Sequence, residues 1–141
     1  MAPKRNAELD ELLRSGIEPL GIASAAIFTA ASNGSTLELA AAAGISGPPL
    51  DALVGAVADP RHPIARTLAE RTSSYNVTPM APGGPALRSH VLIDTVQGGG
   101  SAPLGVLALA HSEPLGVKAQ ERLNDLADEA GLSIVGQATR P

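Results

Sequence analysis

Leu104-Gly105-Val106-Leu107-Ala108-Leu109-Ala110-His111 is the most apolar short stretch of the chain, and the fold turns on it. It is too short to cross a bilayer, and an apolar run of this length reads as a strand at the centre of a sheet. Working outward, residues 87–94 alternate. Leu87, Ser89, Val91 and Ile93 face one way and Arg88, His90, Leu92 and Asp94 the other, as a half-buried strand requires. Between these two runs lies Gly98-Gly99-Gly100-Ser101, read as a hairpin connector. No Lys-Ser/Thr pair follows it and no helix starts there, as a phosphate loop would need. Upstream, residues 23–31, with Ile27 and Phe28 at the centre, and residues 36–43, with Leu37 and Leu39 opposite Glu38, read as a hairpin. Its turn is Asn33-Gly34, a dipeptide that tolerates positive φ. The alanine runs here fit strand or helix. Tyr75-Asn76-Val77-Thr78 reads as a short edge strand closed by Pro79.

Helices fill the gaps. Leu9, Leu12, Leu13, Gly16 and Ile17 share one helix face, with Asn6 as cap and Glu8 at the positive end. Residues 44–49 are rich in breakers and read as a loop. Residues 50–58 read as a short helix with Leu50, Leu53, Val54 and Val57 on one side. A second short helix begins at Pro63, a residue suited to the first helical position, and carries Ile64 and Leu68. Residues 80–85 form a Pro/Gly loop. Residues 117–135 carry Leu123, Leu126, Ala127, Ala130 and Ile134 at helical spacing. The order predicts one α+β domain over residues 1–141. Its N-terminal helix falls within 1–20, its sheet and middle helices within 22–111, and its C-terminal helix within 117–136.

Composition excludes several classes. A chain of 141 residues supports one core, and 15 glycines and 12 prolines sit between apolar segments rather than replacing them. Ten basic against 14 acidic residues leave a net charge of −4, and there is no basic tract, so no nucleic-acid partner is expected. Cysteine is absent, which removes disulfides, thiolate zinc sites, thiol nucleophiles and cofactors attached through sulfur. Acidic residues follow Lys4-Arg5 where a signal peptide has an apolar stretch, so a cytoplasmic location without membrane contact is expected. The glycosylation pattern at Asn76-Val77-Thr78 is then accidental.

Five strings resemble, in order and spacing and over nearly the whole chain, the GAF domain family of small-molecule sensor modules. They are Ala25-Ala26-Ile27-Phe28, residues 37–44 from Leu37, His62-Pro63-Ile64-Ala65-Arg66, residues 105–111, and Leu123-Asn124-Asp125-Leu126-Ala127-Asp128-Glu129-Ala130. The segment Ala81-Pro82-Gly83-Gly84-Pro85-Ala86-Leu87-Arg88-Ser89-His90 looks like a feature of single GAF domains from high-GC bacteria. The resemblance implies a central antiparallel sheet of five or six strands with the N- and C-terminal helices on one face. Short helices and loops would cover a pocket on the other. It also implies a signalling role and a homodimer through the terminal helices. Output would pass through a partner protein or through further domains of a longer receptor. Family members that bind bilins or reduce free methionine sulfoxide use cysteine, and this chain has none. Asn124 and Asp128-Glu129 echo only the letters of the cyclic-nucleotide pattern.

The irregular, polar stretch 59–90 is the expected pocket wall. Arg88 and His90, two apart on a strand, share a face roughly 7 Å apart along it. Arg61 and His62 begin a helix, where free N–H groups favour anions. These four fit a carboxylate or phosphate, with Tyr75 and Met80 supplying apolar contact. With one phenylalanine and one tyrosine in the chain, there is little to stack on a purine, so a small anionic or aliphatic ligand fits better. The same residues also fit a solvated strand face with His62 as a helix cap. His62, His90 and His111 are too scattered for a metal or haem site, and His111 is expected to hydrogen-bond instead. No catalytic arrangement stands out, so no enzyme activity is expected. The alternative function is a ligand-free interaction or dimerisation module.

Overall fold

A computed structural model of the chain describes residues 7–30, 37–45, 47–59, 61–77, 87–93 and 104–138. Helix α1 spans Ala7–Ile17 and runs into a 3-10 turn, Glu18–Leu20. Strands β1 (Ser24–Ala30) and β2 (Leu37–Ala43) follow, then helices α2 (Gly47–Ala56) and α3 (Pro63–Glu70). Strands β3 (Ser74–Val77), β4 (Leu87–Ile93) and β5 (Gly105–His111) lead to the long helix α4, Val117–Ala138. The five strands form one antiparallel sheet in the order β2-β1-β5-β4-β3. The apolar run 104–111 is therefore the middle strand, as its composition requires. The Asn33-Gly34 turn, Asn6, Pro79, the loop 80–85, Asp94 and the Gly98–Gly100 connector lie outside the described residues.

Two apolar layers sandwich the sheet. On one face α1 and α4 bury Leu9, Leu13, Leu123 and Leu126 against Ile27, Val91, Ile93 and Leu107. On the other, α2, the turn that follows it and α3 bury Leu50, Val57, Ile64 and Leu68 against Ala26, Phe28, Val106 and Ala108. Each large apolar side chain so buried contributes roughly 1.5–3 kcal/mol. Strand parity makes the division: even positions of β4 and β5 face α2 and α3, and odd positions face α1 and α4. A bulge at Ile27/Phe28 leaves an extra residue in β2, so Ala40 and Ala41 both join the terminal-helix layer. Pairing with β1 thus decides the alanine run in favour of strand.

Close approach fixes both layers. A Cβ at Gly16 would stand 2.7 Å from Leu126 Cδ2, so a larger residue here would have to push the Leu126 side chain aside where α1 meets α4. A Cβ at Gly105 would stand 2.0 Å from the Phe28 carbonyl oxygen in the strand alongside. At the sheet margin, Asp10 Oδ1 of α1 accepts a 2.9 Å hydrogen bond from the Ala42 amide and occupies an edge donor of β2. The start of α2 differs from the sequence reading. Helix α2 starts at Gly47 inside the supposed loop 44–49, because Pro48 and Pro49 fall in its first turn, where no intrahelical N–H partner is lost.

Candidate functional site

Where α2 and α3 cover the sheet, small residues leave space. Ala26 pairs with Ala108 across β1 and β5, and Arg88 with Ala110 across β4 and β5. These alanines, with Leu53 and Ile64 above them, wall a cavity of ≈ 240 Å³. Its polar lining is Ser24, Arg88 and His90, and no acidic residue lines it among the described residues. The alternation expected for β4 is what brings Arg88 and His90 to this face together.

Arg88 is short of a partner. The Arg88 Nε is buried with no hydrogen-bond partner among the described residues, a deficit worth roughly 1–3 kcal/mol for a buried donor, and more for a charged one. His90 is 4% exposed. Burial first, then the nearby His62 and Arg88 charges, pull its pKa down to about 4, so the ring is neutral at pH 7. His62 is likewise lowered, by burial and then by Arg88, with Asp59 opposing. Arg88 is thus the permanent charge of the described lining. His90 also borders a second, more polar hollow of ≈ 200 Å³ beside Arg66, Thr67, Glu70 and Ser74.

The remaining expected site residues lie elsewhere. His62 caps α3: its Nδ1 accepts from the Ile64 amide at 3.1 Å. Arg61 is exposed and turned to Asp59, whose carboxylate accepts its backbone amide at 2.9 Å and its guanidinium at 3.3 Å. Those bonds, the backbone one first, lower the Asp59 pKa. Tyr75 is a correction. Its hydroxyl donates to Asn124 Oδ1 of α4 at 2.7 Å, and its ring packs with the terminal-helix layer, across the sheet from Arg88. Ser74 pairs with His90, so its neighbour Tyr75 must face the other way. Met80 lies outside the described residues.

Beneath α4 lies a polar network that sequence reasoning missed. Ser89, 0% exposed, and His111, 2% exposed, are joined Oγ to Nε2 at 2.9 Å. His111 Nδ1 donates to the Glu113 carbonyl at 2.7 Å, so in the neutral tautomer Nε2 accepts the Ser89 hydroxyl. Ser89 Oγ also accepts the Asn76 amide at 3.1 Å. The Asn76 side chain clamps Leu115 from both sides, accepting its amide at 2.7 Å and donating to its carbonyl at 3.1 Å. The pair has the atoms of a nucleophile and its base, but both side chains are buried among the described residues. The available signal was Ser89 on the apolar side of β4, since a buried hydroxyl must find a partner. His111 hydrogen-bonds, as expected. Among the described residues no group of three or more His, Asp or Glu side chains is placed to hold a metal ion.

This arrangement of sheet and helices has solved counterparts. The GAF domain of Acinetobacter phosphoenolpyruvate-protein phosphotransferase superposes with a TM-score of 0.69 at 13% identity, over 94% of this chain and 84% of that one. The second GAF domain of DevS from Mycobacterium smegmatis gives 0.69 at 14% identity, over 94% and 95%. The GAF domain of the Coxiella burnetii phosphotransferase gives 0.70 at 15% identity, over 91% and 83%. The chain has the GAF-domain fold. The fRMsr of Staphylococcus aureus shares this fold with a TM-score of 0.58 at 12% identity, over 95% and 99%. No protein-family model and no curated protein sequence matches the chain.

Proposed function

We propose that this GAF-fold domain is a non-catalytic sensory or regulatory module that binds a small molecule non-covalently beneath α2 and α3. Arg88 and His90 form the polar end of its site. One observation carries the reading: a guanidinium Nε–H without a partner among the described residues, beside a buried, neutral imidazole, in a cavity whose other described lining is Ser24 and aliphatic side chains. Buried polar groups in folded proteins are paired, and a bound ligand is one way to supply the missing acceptor. The absence of cysteine from the chain and the burial of Ser89 and His111 support a non-catalytic role. Among the described residues no helix is long and apolar enough to cross a membrane. The cytoplasmic setting expected from the sequence is part of the proposal. The test is a thermal-shift screen of the whole chain against small acids, amino acids and nucleotides, repeated on Arg88→Met. A stabilising compound whose effect falls in the variant is the expected result.

A second reading rests on α4, where Val117 is 72% and Leu132 54% exposed. These side chains support homodimerisation through the terminal helices, or docking of a signalling partner, with the cavity left empty. Sedimentation of the wild type and Leu132→Glu distinguishes the readings: the second requires a dimer that the charge disrupts and a screen with no stabilising compound.

A further inference from the structure

Resting on the reading that the cavity binds a small molecule, we infer that its ligand is a short aliphatic monocarboxylate without an amino group, its carboxylate held by Arg88 and His90. Four features of the cavity converge on this class.

Size comes first. A space of ≈ 240 Å³ exceeds the ~150 Å³ cavity that accepts benzene and falls below the ~300–1,000 Å³ of drug-sized sites. Acids of roughly four to seven carbons fit this range. Charge is the second feature. Arg88 is the permanent charge among the described lining residues, and its unpartnered Nε–H requires an acceptor. A guanidinium fork matches a carboxylate, and the neutral His90 ring can donate a further N–H to it without opposing Arg88. A dicarboxylate or a phosphate dianion would bring a second negative charge into aliphatic walls.

The third feature is the missing counter-charge. With no acidic side chain among the described lining residues, the ammonium of an α-amino acid would be desolvated without an anion beside it. The fourth is the wall opposite the charge. Leu53, Ile64, Ala26 and Ala108 offer apolar contact, while Phe28 is buried in the adjoining core and Tyr75 lies across the sheet. No aromatic face is there to take a base or a flat ring.

The experiment is calorimetric titration of the full chain with pentanoate, 3-methylbutanoate and hexanoate, against 1-pentanol, pentylamine, glutarate, valine and inorganic phosphate. The acids should bind, and each control should bind at least about 10-fold more weakly, the effect of losing one charge-assisted contact. Arg88→Met should weaken the acids by about 10–100-fold and leave 1-pentanol unchanged, with Arg88→Lys in between. The acid-over-alcohol preference of the wild type stands even if a variant fails to fold. Tighter binding of valine, glutarate, phosphate or pentylamine, abolished by the cavity-filling Ala108→Phe, overturns the ligand class while keeping the cavity as the site. Absence of binding by every probe, with Ala108→Leu raising the melting temperature, overturns the site itself.

Discussion

The two faces of the sheet treat buried polar groups in opposite ways. Under α4, Ser89, Asn76, His111 and Tyr75 close a network in which each finds a partner within the chain. Under α2 and α3, one residue before Ser89 on the same strand, the buried Arg88 Nε finds none among the described residues. A paired buried group holds the fold together, and an unpaired one leaves a cost that a ligand can offset. The difference teaches which polar residues to assign to structure and which to recognition.

Substitutions can break this comparison, the largest effect coming from the paired face. His111→Ala removes the acceptor of Ser89, frees the Glu113 carbonyl and opens a cavity, and should destabilise by about 3–5 kcal/mol in urea unfolding. A loss below 1 kcal/mol would mean that the network does not hold the fold. Next is the pH response of His90. Its native pKa lies below its unfolded value, so the unfolded chain binds the extra proton and stability falls with the pH between 6.5 and about 4. The difference between wild type and His90→Gln over that window should reach on the order of 2–3 kcal/mol, while acids common to both cancel. Parallel curves would show that the ring is solvated. Asn76→Ala should cost about 2 kcal/mol through the two Leu115 hydrogen bonds. It should also raise the exchange rate of the Leu115 amide.

Across the sheet the sign changes. Arg88→Met should leave the ligand-free protein within about 1 kcal/mol of wild type or make it more stable, because an unpartnered buried donor is replaced by a side chain that suits the walls. Smallest of all, Arg61→Ala should leave both the unfolding midpoint and acid binding unchanged, since its exposed pairing with Asp59 is outside the cavity.

Much of this was legible in the sequence, and the gaps have physical causes. Apolarity alone places residues 105–111 at the centre of the sheet, and strict alternation along 87–93 puts Arg88 and His90 on one face and Ser89 on the other. The cap reading of His62 was legible too, because a side-chain acceptor just before Pro63 serves the free amide of Ile64. The face of Tyr75 was not. Strand parity needs a register, and β3 slips against β4 between Ser74 and Val77, where Asn76 takes a left-handed conformation at φ 58°. The partnering of Ser89 with His111 depends on the register between β4 and β5, which local pattern does not encode. Nor does composition show that alanines facing one another across β1 and β5 would open a cavity rather than close a core.

The central claim concerns one proton donor, the Nε–H of Arg88. Its nitrogen–proton NMR correlation, assigned by its loss in Arg88→Met, should move and become protected from solvent exchange when pentanoate is added, while the Arg61 Nε–H stays in place. An Arg88 signal that keeps its shift and exchange rate at saturating pentanoate would contradict the account.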